Sequence, residues 1–291
     1  MKITVENAIK DLGEKTKDSE IAFFGGSFTA IEREYMLSLL EAVKPYINKF
    51  IGIRISTRPD YINDEILILL KNYNVTTIEL GAQSMSDKVL NANNRGHSSD
   101  DVRKASELIK KYGFNLGLQM MTGLYMSDYE SDIYTAKEFI KLNPDCVRIY
   151  PTVVMRNTEL ESLFLRKKYI PLTLNESVSL CSEIIKLFYE NSIDIIRVGL
   201  HYSDSLTEND VAKNYHPAFK ELCESKILLD NILENLKKYD DKYFTVYVNP
   251  KSLSKAIGQN KSNINTLNSL GYKINFKTDD KIDKYDIKIL R

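Results

Sequence analysis

An α/β fold of parallel strands covered by helices is predicted by three features of the sequence. Six apolar runs of strand length, at 21–24, 51–56, 77–83, 116–121, 146–153 and 193–200, are spread through the chain. Amphipathic helical patterns such as 100–112 and 131–142 lie between them. Several strands also carry polar residues on one alternating face: Glu79 and Gln83, Gln119, and Arg148. Six such repeats suit either a doubly wound open sheet or a partial or full (β/α) barrel. The polar faces favour the barrel, as do the polar loops at 57–60, 83–84 and 122–123, because barrel sites form at the carboxyl ends of strands. A buried structural Glu–Arg pair is the other reading of the same side chains.

The chain opens with a helix, not a strand. Val5, Ala8, Ile9 and Leu12 form its apolar stripe and Thr4 is its expected N-cap. Strand 21–24 runs into Gly25, Gly26 and Ser27, and a helical pattern starts at Glu32, with Tyr35, Leu39, Leu40 and Val43 at helix spacing. A glycine pair there permits positive φ and lets a ligand approach bare backbone; a tight βα turn needs the same residues. Ser98 or Ser99 is the expected N-cap of the helix after His97. His97 either pins that turn or belongs to a cavity rim. His201 ends a strand and His216 precedes a proline, and neither has the Ser and Asp spacing of a nucleophilic triad.

Composition narrows the function classes. The chain has 291 residues, 43% hydrophobic and 27% charged, enough for a barrel-sized domain and a small module. Net charge is zero, yet residues 227–291 hold 12 Lys and Arg against 8 Asp and Glu. That surplus hints at a tail facing a polyanion. The polar N-terminus lacks a signal peptide's apolar core and no run approaches a membrane span, so the expected location is cytoplasmic. Cys146, Cys181 and Cys223 are scattered, without disulfide or metal-ligand spacing, and read as small buried apolar residues.

Beyond a helical stretch at 228–239, the pattern becomes strand Tyr243–Val248, helix 251–257, a break at 258–261, helix 262–270 and strand 272–277, with a further strand at 285–290. The expected domains are therefore a barrel over 1–226 and a small α+β domain over 227–291.

The segments FFGGSFTAI, IRISTRPDYI, IELGAQSMSDKVLNANNRGH, LQMMTGLYMSD and VRIYPTVVMRNTELESLF resemble the successive strand-end motifs of radical SAM proteins, in their Elp3-like branch. The resemblance implies a partial (β/α) barrel holding a [4Fe–4S] cluster and S-adenosylmethionine, with reductive cleavage to a 5′-deoxyadenosyl radical. It implies that Gly25, Gly26 and Ser27 meet the amino group of S-adenosylmethionine. Glu79, Gln83, Arg95 and Gln119 then line the cofactor and substrate cavity. It implies modified wobble uridine in tRNA as the substrate class.

One departure is large. The family's three clustered cysteines precede the GGSF segment, and this chain has no cysteine before Cys146. The expectation is a barrel lacking its first strand, with a strand and cluster loop ahead of residue 1 in the complete protein. As it stands the chain should not ligate the cluster. The alternative is a non-catalytic protein that binds S-adenosylmethionine or RNA on a degenerate barrel. The C-terminal pattern resembles a KH domain, whose GXXG loop clamps nucleotide phosphates. That implies RNA contacts from Lys255, Gly258 and Lys261, with Lys261 standing in place of the second glycine.

Overall fold

The computed structural model describes residues 1–290. By compactness they divide into two units: Met1–Tyr150 with Phe188–Arg197, and Pro151–Leu187 with the chain from Val198 onward.

The first unit is built on α1 (Lys2–Leu12), β1 (Glu20–Phe23), α2 (Arg33–Val43), β2 (Gly52–Thr57), α3 (Asp64–Asn72), β3 (Val75–Gln83), α4 (Asp87–Ala92), α5 (Ser99–Lys111), β4 (Asn115–Thr122), α6 (Tyr129–Leu142) and β5 (Cys146–Pro151); β6 (Asp194–Val198) completes its sheet. The six strands are in sequential order β1-β2-β3-β4-β5-β6. The first four are paired in parallel, with register shifts in β2–β3 and β3–β4. Sequential order decides between the two topologies left open by the sequence. Right-handed crossovers that always step the same way put every helix on one face, so the sheet curls into a half-barrel. A doubly wound sheet would reverse its order once.

Alternation along the strands follows from that shape. Ile53 and Ile55, Ile78 and Leu80, Leu116 and Leu118, and Val147 and Ile149 are buried, whereas Arg54, Glu79, Gln119 and Arg148 occupy the intervening positions on the concave face.

Local signals mostly set the helix ends. Ser98 caps α5 in a capping box with Asp101, and Asp128 does the same for α6 with Ser131. Glu32 caps α2 by accepting from the Glu34 and Tyr35 amides. Two expectations are corrected. α1 begins at Lys2 with Met1 at its N-cap and no side-chain cap, so Thr4 lies inside the helix. The buried stripe of α2 runs through Met36, Leu40 and Val43, leaving Tyr35 exposed. Along β1 and α1 runs a groove of about 440 Å³, lined by residues such as Val5, Ala8, Phe23 and Val43.

The second unit contains α7 (Glu159–Leu165), most of α8 (Leu174–Glu190), α9 (Asp204–Asn209), α10 (Phe219–Leu236), β7 (Tyr243–Val248), α11 (Leu253–Ile257), α12 (Ser262–Ser269), β8 (Lys273–Thr278) and β9 (Ile287–Leu290). α10 runs unbroken through position 227. The three strands form one sheet in the order β8-β7-β9, with β8 parallel and β9 antiparallel to β7. One face packs Phe244, Val246 and Val248 onto Leu228, Ile232 and Leu236 of α10, with Ala256 and Leu267. Buried Glu224 of α10 accepts from Lys284 Nζ at 2.7 Å and Tyr285 Oη at 3.0 Å, fixing the approach to β9. Asn263 Nδ2 donates to Ser225 and to the Lys255 carbonyl, fastening α12 to α10 and α11.

Candidate functional site

The concave face of the half-barrel carries a connected polar network. Glu20 Oε2 meets Arg54 Nε at 2.6 Å, and Arg54 Nη1 meets Glu79 Oε1 at 2.9 Å. Arg148 then forks onto Glu79, Nε to Oε2 at 2.6 Å and Nη2 to Oε1 at 3.0 Å. Gln119 Nε2 donates to Glu79 Oε2 at 2.9 Å and to Ser56 Oγ at 3.1 Å. Burial pushes the Glu79 carboxyl up, but Arg148, Gln119 and Arg54 outweigh it and hold the group below the ordinary carboxylate range. Glu79 is therefore a saturated anion and not a poised acid or base.

Space for it is made by Gly117 on β4, where a Cβ would lie 2.6 Å from Glu79 Cγ. The sequence reading named Glu79, Gln119 and Arg148. It missed Glu20 and Arg54, whose signal is the pattern Ile53-Arg54-Ile55, a charge between two residues that face the helices.

At the carboxyl ends of the strands the chemistry changes. Gly25 and Gly26 form an exposed bend after β1, and a Cβ at either would meet nothing within 4 Å. Ser27 begins the following turn, its carbonyl accepting from the Ala30 amide. The loop is anchored to the end of β2 by Thr29 Oγ1, 2.6 Å from Thr57 Oγ1. Gln83 ends β3 at φ 66°, a left-handed conformation uncommon for a side-chain-bearing residue.

Arg95 follows α4 and makes no ion pair among the described residues; its Nε is buried without a partner. Burial, and then the neighbouring Arg58 charge, push its guanidinium below the ordinary value. Arg58 itself is paired with Asp60 at 2.6 Å. His97 Nε2 lies 3.1 Å from the Ala82 carbonyl, while its buried Nδ1 is unpartnered. Gly25, Gly26, Gln83 and Arg95 thus share the strand-end side of the sheet. Glu79 and Gln119 lie within the network on its concave face.

Asp132 of α6 underpins the neighbouring loop: its Oδ2 accepts from the Gly123 amide at 2.8 Å while Oδ1 is buried without a partner. Burial pushes this carboxyl up to about 7, against the lowering effect of the Gly123 N–H. Because the folded-state value lies above the unfolded one, the group costs increasing stability as pH rises from about 4 to about 7. Asp132→Asn should therefore gain little melting temperature at pH 4, progressively more up to pH 7, and no more above it. A gain independent of pH in thermal melts would contradict this assignment.

In the second unit, Gly258 has φ 82°, and a Cβ there would crowd Ser262 Oγ and lie 2.8 Å from the Asn263 amide nitrogen. Asn260 and Lys261 follow in the left-handed region, at φ 51° and 61°. Lys261 is exposed at the turn. Lys255 is engaged differently: its Nζ donates to the Lys251 carbonyl at 3.0 Å and lies 3.5 Å from Glu224 Oε2.

A curled parallel half-barrel with an open glycine bend and, among the described residues, an arginine without an ion pair at its strand ends defines a partial (β/α) barrel. Comparison with known proteins agrees. Residues 3–139 match the model of the Radical SAM superfamily, and residues 144–228 match the Radical_SAM C-terminal domain. The chain is 32% identical over 201 residues to Elongator complex protein 3 of Homo sapiens, covering 62% of this chain and 37% of that one. It is 30% identical over 198 residues to a tRNA uridine(34) acetyltransferase of Methanocaldococcus jannaschii, covering 60% and 36%. A solved structure of the archaeal Methanocaldococcus infernus Elp3 with an N-terminus deletion (1-46) shares the fold, with TM-score 0.67 and 23% identity over 81% of this chain and 57% of that one. The chain belongs to the radical SAM superfamily, within its Elp3-like branch. It spans little more than a third of the length of these curated relatives.

The family implies S-adenosylmethionine and a [4Fe–4S] cluster, and the residues present fit the two differently. The orphaned Arg95 Nε and the open glycine bend suit the carboxylate and ammonium of an amino acid end. The cluster needs thiolates converging on one cube. Cys146 is buried in the half-barrel, 3.5 Å from Arg54 Nη1, while Cys181 and Cys223 are buried in helices of the second unit. Burial pushes the Cys146 and Cys223 thiols up. Among the described residues no three His, Cys, Asp or Glu side chains are grouped to hold a metal ion. These cysteines do not fit the cluster.

Proposed function

We propose that this chain is an Elp3-like protein that binds S-adenosylmethionine at the strand ends of its half-barrel and takes tRNA as its substrate class. Support comes chiefly from Arg95, a half-buried guanidinium whose Nε is buried without a partner, and from the exposed Gly25–Gly26 bend at the end of β1. Arg95 would pair with the carboxylate of the bound methionine. The carbonyls of Gly25 and Gly26 and the hydroxyl of Ser27 would accept from its ammonium, and Gln83 would face the nucleoside. The Glu79 network would keep the floor beneath them rigid, with Gln119 part of that floor. The relatives named for tRNA uridine(34) acetylation support the substrate class. Among the described residues no helix is long and apolar enough to cross a membrane, in keeping with a cytoplasmic tRNA-directed role.

In the family the cluster supplies the electron for S-adenosylmethionine cleavage. Because this chain's cysteines do not fit it, no bond-breaking step is assigned to the residues described. That donor set favours, as a second reading, binding of S-adenosylmethionine or RNA without radical chemistry. Calorimetric titration of S-adenosylmethionine into the iron-free chain tests the binding step. Saturable heat with a Kd below about 1 mM is expected; absence of heat would remove the reading.

Residues 227–291 supply the RNA-facing module in this proposal. The KH-like turn, with Gly258 setting its geometry and Lys261 projecting, would contact a phosphate, and Lys255 would support the turn through Glu224. Lys261→Glu should weaken tRNA retention and reduce the salt slope by about one unit. An unchanged slope in filter binding would remove the loop from the contact. Lys255→Glu is a poorer probe, since it would set a carboxylate against buried Glu224.

A further inference from the structure

The three-stranded sheet has a second face that the helices do not cover. Register puts Tyr243 opposite Lys273, Thr245 opposite Asn275, and Tyr247 opposite Lys277, with Lys288 of β9 across from Tyr247 on the other side. Directly opposed residues point the same way, and the alternate residues Phe244, Val246 and Val248 are the ones buried against α10. The open face therefore displays two tyrosines on its central strand, flanked by lysines on both sides.

Tyr243 is 67% exposed, and Lys273, Asn275, Lys277 and Lys288 are exposed. None of those three lysines makes an ion pair among the described residues, and no carboxylate stands at the paired strand positions of this face. Tyr243 and Tyr247 lie about 13 Å apart along the strand. Between β7 and β8 the surface dips into a hollow of about 330 Å³ lined by Tyr243, Thr245, Lys273 and Asn275.

We propose that this face binds single-stranded RNA, with Tyr243 and Tyr247 stacking on bases while Lys273, Lys277 and Lys288 meet phosphates. Charge complementarity selects the occupant. Three lysines without ion pairs, one of them with its ammonium 5.4 Å from the Tyr243 ring centroid, attract a polyanion, and the exposed Tyr243 and half-buried Tyr247 rings add what a charged peptide would not use. Stacking on a sheet platform is sequence-tolerant, because every base presents a π-face. Asn275 adds a side-chain donor and acceptor beside the hollow. This surface is separate from the Gly258–Lys261 turn. Only the choice of RNA over DNA rests on the tRNA reading above; the face is argued without it.

The test is fluorescence anisotropy of a labelled, unstructured RNA of about 12 nucleotides with the full chain. The same measurement is made with DNA of that sequence, with duplex RNA, and with polyglutamate as competitor. Tyr243→Ala/Tyr247→Ala should weaken RNA binding at least tenfold, whereas Tyr243→Phe/Tyr247→Phe should bind as the parent does, because stacking needs the ring and not the hydroxyl. Lys273→Glu/Lys277→Glu/Lys288→Glu should lower the salt slope by about two units, at about 0.7 per phosphate. Melting curves matching the parent's confirm that each variant is folded; if the alanine pair melts early, the phenylalanine pair and the lysine variant decide. Parent-like RNA binding by the alanine pair, or a full loss on Lys261→Glu with the face variants unaffected, would overturn the proposal. So would displacement by polyglutamate as effective as by RNA, and DNA binding as tight as RNA would overturn the assignment to RNA.

Discussion

Glu79→Gln should lower the melting temperature by on the order of 10 °C. Glu79 is fully buried and, among the described residues, is the only carboxylate paired with Arg148, while Arg54 spans it and Glu20. Removing its charge leaves guanidinium groups in a desolvated interior with too little counter-charge, which costs about 3–5 kcal/mol. For a protein of this size each kcal/mol shifts the transition by about 2–4 °C. The pH dependence carries a sign. The folded Glu79 carboxyl lies below its unfolded value, so its contribution is present above the unfolded pKa and lost as pH falls through the folded one. Acid should therefore destabilise the parent more steeply than Glu79→Gln. Replacing Arg54, Glu79 and Arg148 together with Met, Leu and Met should recover much of the loss, because an apolar set needs no counter-charge. A single variant melting within about 1 °C of the parent would mean that the network is already screened by water.

Arg95→Ala should act in opposite directions on stability and on binding. In the ligand-free chain the guanidinium is partly desolvated, faces Arg58 and pairs with no carboxylate among the described residues, so its removal should raise the melting temperature by about 1–4 °C. The same change should weaken S-adenosylmethionine at least thirtyfold, since truncating one partner of a buried charge pair costs about 2–5 kcal/mol. Arg95→Lys should keep only part of the affinity, because an ammonium cannot fork onto a carboxylate. Thermal shift with and without ligand reads both effects. A variant less stable than the parent and undiminished in binding would make Arg95 a structural residue.

The half-barrel was legible because its strands are apolar runs at regular spacing, and β7 is found at the bounds its alternation predicts. Direction and order were less so: a βα repeat does not say whether the chain steps always one way, and only the sheet order excludes the doubly wound form. The first-turn reading failed at Thr4 because α1 starts earlier, at a residue with no capping side chain. Tyr35 failed because its position fits helix periodicity while Met36 takes the buried face. In the site, Glu79 and Arg148 were visible as charges inside apolar strands. Their partners Glu20 and Arg54 were not, since pairing across β1, β2 and β3 depends on register. The open face of the small sheet escaped for the same reason: Tyr243 and Lys273 are thirty residues apart and meet only through strand pairing.

Titrating S-adenosylmethionine into isotope-labelled chain and following individual amide and guanidinium resonances tests the central claim most directly. The account predicts that the Gly25 and Gly26 amides and Arg95 Nε shift together along one saturable curve, while the resonances of the 227–291 sheet stay in place. Shifts confined to other residues, or none at saturating ligand, would contradict it.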